Sequence, residues 1–123
     1  MDSGGLEDLF EPFGRVTVRK MFGGHGVYAD GLCFAIQTDG VVYIKAAPET
    51  EAVFAAAGSE PFTYLARGKP MKMAYWRLVD SAYDDPEDLK RWASLGLAAA
   101  RDAAAAKKAK AKAPRAVRKT PRK

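Results

Sequence analysis

Two Asp-Gly pairs set the strongest constraint on how this chain can fold. Asp30-Gly31 separates the apolar runs 26–29 and 32–37, and Thr38-Asp39-Gly40 leads from the second run into 41–45. A two-residue hairpin turn needs positive φ at its centre, which glycine adopts freely and aspartate tolerates. With apolar runs on both sides, each pair predicts a tight antiparallel connection. The three runs are therefore expected to form a meander.

The rest of the chain supplies helices around that sheet. Leu6, Leu9, Phe10 and Phe13 recur at helical spacing and predict a helix over 3–13, capped by Asp2 or Ser3 and stopped by Gly14. Residues 16–21 alternate and read as extended chain outside the counted strands. Pro48 opens a short helix over 49–57, with acids in its first turn and Gly58 as its stop. Residues 62–66 form a fourth strand, and Arg67-Gly68-Lys69-Pro70 turns into a fifth over 71–78. Asp85-Pro86-Glu87-Asp88 starts a last helix, along which Leu89, Trp92, Ala93, Gly96 and Ala99 repeat. The expected fold is α+β: an antiparallel five-stranded sheet with helices, in the order α-β-β-β-α-β-β-α, within one domain over 1–102. The 123 residues suffice for one such core.

Beyond residue 102 the composition changes. The segment 103–123 is rich in Ala and Lys and holds nine cations and no acid: Lys107, Lys108, Lys110, Lys112, Arg115, Arg118, Lys119, Arg122 and Lys123. The preceding part then has eleven basic against fifteen acidic residues, a formal charge of −4. A mildly acidic body carrying a +9 tail concentrates any general attraction to polyanions in the tail. Ala and Lys favour helix, so the last helix is expected to run on to about 113 and to fray, with Pro114 and Pro121 leaving a flexible arm. Those nine residues are the predicted nucleic-acid contacts, through phosphates and without sequence readout.

Other features point away from catalysis. Residues 24–29, Gly-His-Gly-Val-Tyr-Ala, match the dinucleotide-binding glycine pattern formally. That pattern has to open a helix, and here it leads into a hairpin. His25 is the single histidine, and Cys33, the single cysteine, is a poor companion for it at a metal site; an unperturbed histidine can do acid–base work, but no Ser, Cys or Thr near it in sequence suggests a nucleophile. Asp80, Asp84, Asp85, Glu87 and Asp88 depart from calcium-loop spacing and suit a helix start. No metal and no cofactor is expected. The aromatic residues read as core and sheet-face positions, and Cys33 as a small buried residue. One cysteine, no charged-then-apolar leader and no stretch of eighteen apolar residues predict a cytoplasmic protein without membrane attachment.

Two segments carry a family resemblance. One is Arg19-Lys20-Met21-Phe22-Gly23-Gly24-His25-Gly26-Val27-Tyr28. The other is Pro61-Phe62-Thr63-Tyr64 followed by Gly68-Lys69-Pro70-Met71-Lys72-Met73-Ala74-Tyr75-Trp76-Arg77. Together they resemble the N-terminal domain of the TfoX (Sxy) family, bacterial regulators of natural competence. The resemblance covers about residues 6–101 and implies the element order already read. It also implies a transcriptional co-activator role beside the cyclic-AMP receptor protein, exerted by members with a second, C-terminal domain. Here only the Ala-Lys tail follows residue 101, so the chain reads as a stand-alone member. The family offers no catalytic residues to transfer. Arg19, Lys20, Met21, Phe22, Gly23, Gly24, His25, Gly26, Lys69, Pro70, Tyr75 and Trp76 are its signature, structural or partner-binding.

The expected function is a non-enzymatic regulatory module. Its body would meet a transcription factor or a second copy of itself, and its tail would hold DNA or RNA non-specifically. The alternatives are a protein-interaction or chaperone-like adaptor with an inert tail, and a small ligand-binding domain using His25 with Arg19 and Lys20.

Overall fold

The computed structural model describes residues 3–21 and 23–117. Phe22, Arg118, Lys119, Arg122 and Lys123 lie outside the described residues. Three hairpin turns organise the chain, and each places both central residues at positive φ. The angles are 53° and 76° at Asp30-Gly31, 51° and 77° at Asp39-Gly40, and 56° and 79° at Arg67-Gly68. This is the backbone twist that matches the twist of flanking strands.

The elements are α1 (Ser3–Leu9), β1 (Thr17–Met21), β2 (Gly24–Ala29), β3 (Leu32–Thr38), β4 (Val41–Lys45), α2 (Glu51–Ala56), β5 (Pro61–Ala66), β6 (Lys69–Arg77), a short 3-10 turn (Asp80–Tyr83) and α3 (Pro86–Val117). The sheet is antiparallel in the order β1-β2-β3-β4-β6-β5. It has six strands where five were expected. The added strand is β1, which pairs with β2 alone at the sheet edge, Arg19 opposite Gly26 and Met21 opposite Gly24. All of β1 except Val18 is exposed, so its alternation carries little apolar signal. The meander thus has four strands, not three. β6 then inserts between β4 and its own hairpin partner β5, setting Ile44 opposite Trp76.

All three helices cover one face. Phe10 meets Phe34 edge-on, with ring centres 5.4 Å apart. Phe54 of α2 lies 6.1 Å from the Trp76 ring and 4.7 Å from that of Trp92. α3 crosses β3 and β4 at Gly96, where a Cβ would stand 2.7 Å from Ile44 Cγ2 and 3.0 Å from the Phe34 carbonyl oxygen. Glycine there sets how closely helix and sheet approach. Asp85 caps α3 as the sequence suggested, its Oδ1 accepting from the amides of Glu87 at 3.0 Å and Asp88 at 3.4 Å. Arg77 pairs with Asp80, and Ser81 donates to Asp88, so the acidic stretch is engaged in local structure.

α1 is shorter than its periodicity predicts. Phe10–Phe13 leave the helix in a turn in which the amides of Phe13 and Gly14 both donate to the Phe10 carbonyl. Phe34 is a bulge in β3. Val27 pairs with Ala35 and Tyr28 with Cys33, leaving Phe34 with no residue opposite on β2. The bulge lets Phe34 and Ala35, adjacent in sequence and both fully buried, face the helices together. At the other end of the chain, Ala100 is the last buried residue of α3 among the described residues, and the helix runs on to Val117. It passes through Pro114, which has no N–H for the i→i−4 bond.

Candidate functional site

The first signature segment is the β1–β2 hairpin. Arg19 and Met21 share the sheet face opposite the helices with Tyr28, because side chains alternate along a strand. The Arg19 guanidinium lies 5.3 Å from the Tyr28 ring centre, and Met21 is 44% exposed. Lys20 and His25 stand opposite one another on the helix side, at the end where no helix covers them fully. His25 Nδ1 lies 3.1 Å from Oε1 of Gln37, a buried side chain, so the histidine ring is tied to the neighbouring strand.

Gly24 and Gly26 are required by what they touch. A Cβ on Gly24 would fall 1.8 Å from the Gln37 carbonyl oxygen, and one on Gly26 3.0 Å from Tyr28 Cε1 and 3.1 Å from Met21 Sδ. Gly23 turns the hairpin at φ 70°. The run that matches the dinucleotide-binding pattern is β2 itself, feeding an Asp-Gly turn, with no helix behind it.

The second signature segment divides between the two faces. Trp76 belongs to the core and reaches Glu51 Oε2 with its indole N–H at 3.5 Å. Tyr75 points the other way, its hydroxyl 3.9 Å from Cys33 Sγ and the Lys45 ammonium 5.0 Å from its ring centre. Burial pushes the Tyr75 hydroxyl well above the ordinary tyrosine value, and the Cys33 thiol adds to the rise. Lys69 opens β6 opposite Ala66, and Pro70 is paired with Leu65. Cys33, expected as a small buried residue, is half-buried on this second face because the Phe34 bulge sets the phase of β3.

The structure therefore brings Arg19, Met21 and Tyr75 to one surface and sends Trp76, Lys20 and His25 elsewhere. Sequence reading missed the surface they join. Met21, Tyr28, Ile36, Phe62, Met73 and Tyr75 line a groove of about 630 Å³ across the uncovered face of the sheet. Tyr43 and Phe62 close one end, ring centres 4.8 Å apart. Burial raises the Tyr43 hydroxyl pKa, and the Glu60 carboxylate raises it further. Among the described residues no three His, Cys, Asp or Glu side chains gather as a metal site. No helix among them is long and apolar enough to cross a membrane.

The model of the TfoX N-terminal domain matches residues 8–100, from α1 through every strand and into α3. The chain belongs to that family. The matched region of this TfoX domain stops at Ala100, which is also the last buried residue of α3 among those described, so the nine cations of 103–123 lie outside it. A curated relative, "DNA transformation protein TfoX1" of Aliivibrio fischeri (strain ATCC 700601 / ES114), is 30% identical over 88 residues. The match takes in 68% of this chain and 42% of the relative, so the chain spans about two-fifths of that protein's length.

Proposed function

We propose that this TfoX domain is a non-catalytic regulatory module of the competence type, working in the cytoplasm, in which the basic segment 103–123 holds nucleic acid by its phosphates. The observation that carries this reading is the separation of charge along α3. Acids stand in its first turn at Glu87 and Asp88, whereas Lys107, Lys108, Lys110, Lys112 and Arg115 lie on its stretch beyond residue 103; the other four cations of 103–123 lie outside the described residues, and the segment holds no acid. At 1.5 Å per residue, α3 continues roughly 25 Å past Ala100, which sets its basic end away from the core. The named role of the relative, DNA transformation, supports the regulatory half of the reading. The folded body would then meet a protein partner, a transcription factor or a second copy of the domain.

Binding of a labelled duplex to the full chain tests this reading, against a full-length variant with all nine tail cations changed to Gln. With about five phosphates engaged, affinity should fall several hundredfold between 50 and 200 mM salt, at a slope near −0.9 per contact. Scrambling the duplex sequence should change little. The Gln variant should lose most of the affinity, and unchanged binding at 50 mM salt would overturn the tail's role.

A further inference from the structure

We infer that the uncovered face of the sheet is a platform for single-stranded nucleic acid. The strands carry six cations, Arg19, Lys20, Lys45, Lys69, Lys72 and Arg77, and no Asp or Glu. Among the described residues every acid lies in a helix, a turn or a loop, so the net −4 of the body arises outside the strands; of the strand cations Lys20 lies on the helix side, whereas Arg19 and Lys45 stand beside rings of the uncovered face. A formal sum over the domain hides this, because it averages two surfaces that a ligand would meet one at a time.

The groove adds the second half of the chemistry. Tyr28, Phe62 and Tyr75 present rings in it, and two of the three already have a cation within about 5 Å, Arg19 at Tyr28 and Lys45 at Tyr75. Rings beside cations on an open sheet suit a strand whose bases stack while its phosphates meet Lys and Arg. The Tyr43 end is less suited, since Asp39 and Glu60 lie near it and Arg77 is already paired with Asp80. The strand's path therefore runs over Tyr28 and Tyr75. Six strands at about 4.8 Å spacing give some 24 Å of platform, room for a few splayed bases. A duplex keeps its bases stacked and offers nothing to the rings. A second copy docked face to face would set Arg19 and Lys45 against like charges.

This platform is independent of the tail, and the test separates the two. The full chain with its nine tail cations changed to Gln is titrated into a labelled oligothymidylate of about twelve nucleotides, a duplex of equal length, and thymidine monophosphate. The single strand should bind more tightly than the duplex or the mononucleotide. Tyr28→Ala should weaken it roughly tenfold or more, as loss of one stacking ring does. Arg19→Glu, at an exposed edge position, should weaken it without loss of thermal stability, which keeps the test valid if Tyr28→Ala perturbs folding. Amide shifts on adding the oligonucleotide should fall in β1, β2, β3 and β6. Equal affinity for duplex and single strand, equal affinity for the mononucleotide, or indifference to both substitutions would overturn the inference. So would a concentration-dependent dimer that Tyr28→Ala dissolves and that binds no oligonucleotide.

Discussion

Replacing Gly96 with Ala sets two effects of opposite sign against each other. In the middle of a helix, Ala is better than Gly by about 1 kcal/mol, from backbone entropy alone. Against that stands the contact: the new Cβ would sit 2.7 Å from Ile44 Cγ2, 3.0 Å from the Phe34 carbonyl oxygen and 3.3 Å from Phe34 Cδ2. Carbon atoms rest at about 3.5–4.0 Å, so α3 must rise from the sheet by nearly 1 Å. The carbonyl belongs to a bulged strand paired on both sides and cannot yield as a side-chain end would. A gap of that width forfeits a quarter to a half of each dispersion contact along the seam, where Leu89, Trp92, Ala93, Leu97 and Ala100 are buried. Overpacking of this kind costs about 1–3 kcal/mol. With a displacement of nearly 1 Å against a backbone carbonyl the upper part of that range applies, about 2–3 kcal/mol, and after the propensity gain of about 1 kcal/mol Gly96→Ala should destabilise the domain by about 1–2 kcal/mol in urea unfolding. The melting temperature should fall by roughly 4–8 °C per kcal/mol. Ile44→Leu, which removes the β-branch methyl, should recover part of the loss in a double-mutant cycle. An unchanged or raised unfolding midpoint for Gly96→Ala would refute the close packing of α3 on β3 and β4.

Gly24→Ala should cost more than Gly23→Ala, by over 2 kcal/mol. The first places a Cβ against the Gln37 backbone, whereas the second meets nothing closer than Thr38 Oγ1 at 3.7 Å and strains only its own φ, at about 1 kcal/mol. Equal losses in urea unfolding would disprove the close approach of β2 to β3. The raised Tyr75 hydroxyl gives a pH dependence of definite sign. The folded state holds its proton where the unfolded chain, titrating near the ordinary value of 10.0, has lost it. Its contribution is therefore complete below that value and is lost progressively above it, as pH rises toward and through the raised folded value. Unfolding free energy should begin to drop near pH 10 and go on dropping as pH rises further, and Tyr75→Phe should flatten the drop, leaving the part due to Tyr43 and Tyr83, whose hydroxyls burial also raises. A slope identical in the Phe variant would exclude Tyr75 as a source.

Local chemistry in the chain announces the hairpins, because aspartate-glycine pairs and the positive φ they favour are sequence properties that tertiary contacts leave unchanged. The cap at Asp85 and the core stripe of α3 are legible for the same reason. β1 was legible as extended chain from its alternation but not as a strand of the sheet, since an edge strand with one half-buried residue carries little apolar signal. Nor was the Phe34 bulge. Strict alternation assigns Cys33 and Ala35 to one face, and only the register with β2 shows that they part. That slip decides which side chains line the groove. The split of Tyr75 from Trp76 follows from a period of two, but which of the two faces the helices depends on β6 lying beside β4, a pairing between distant segments. The sheet's charge was hidden by summation, not by folding. The cations read as a tail property have counterparts on the strands once the acids are seen to sit elsewhere.

The late arrival of β6 has a consequence for how the chain must be made. β1 to β4 can zip up from neighbouring hairpins, which is rapid, but β4 reaches its second partner only after α2 and β5 have gone by. Until then Val41-Val42-Tyr43-Ile44 is an open strand edge with no charge before Lys45, the kind of segment that recruits other chains. A nascent chain paused before β6, or a fragment ending there, would expose that adhesive edge. Completion of the sheet exchanges it for two outer edges, and β1 guards one of them with Arg19 and Lys20.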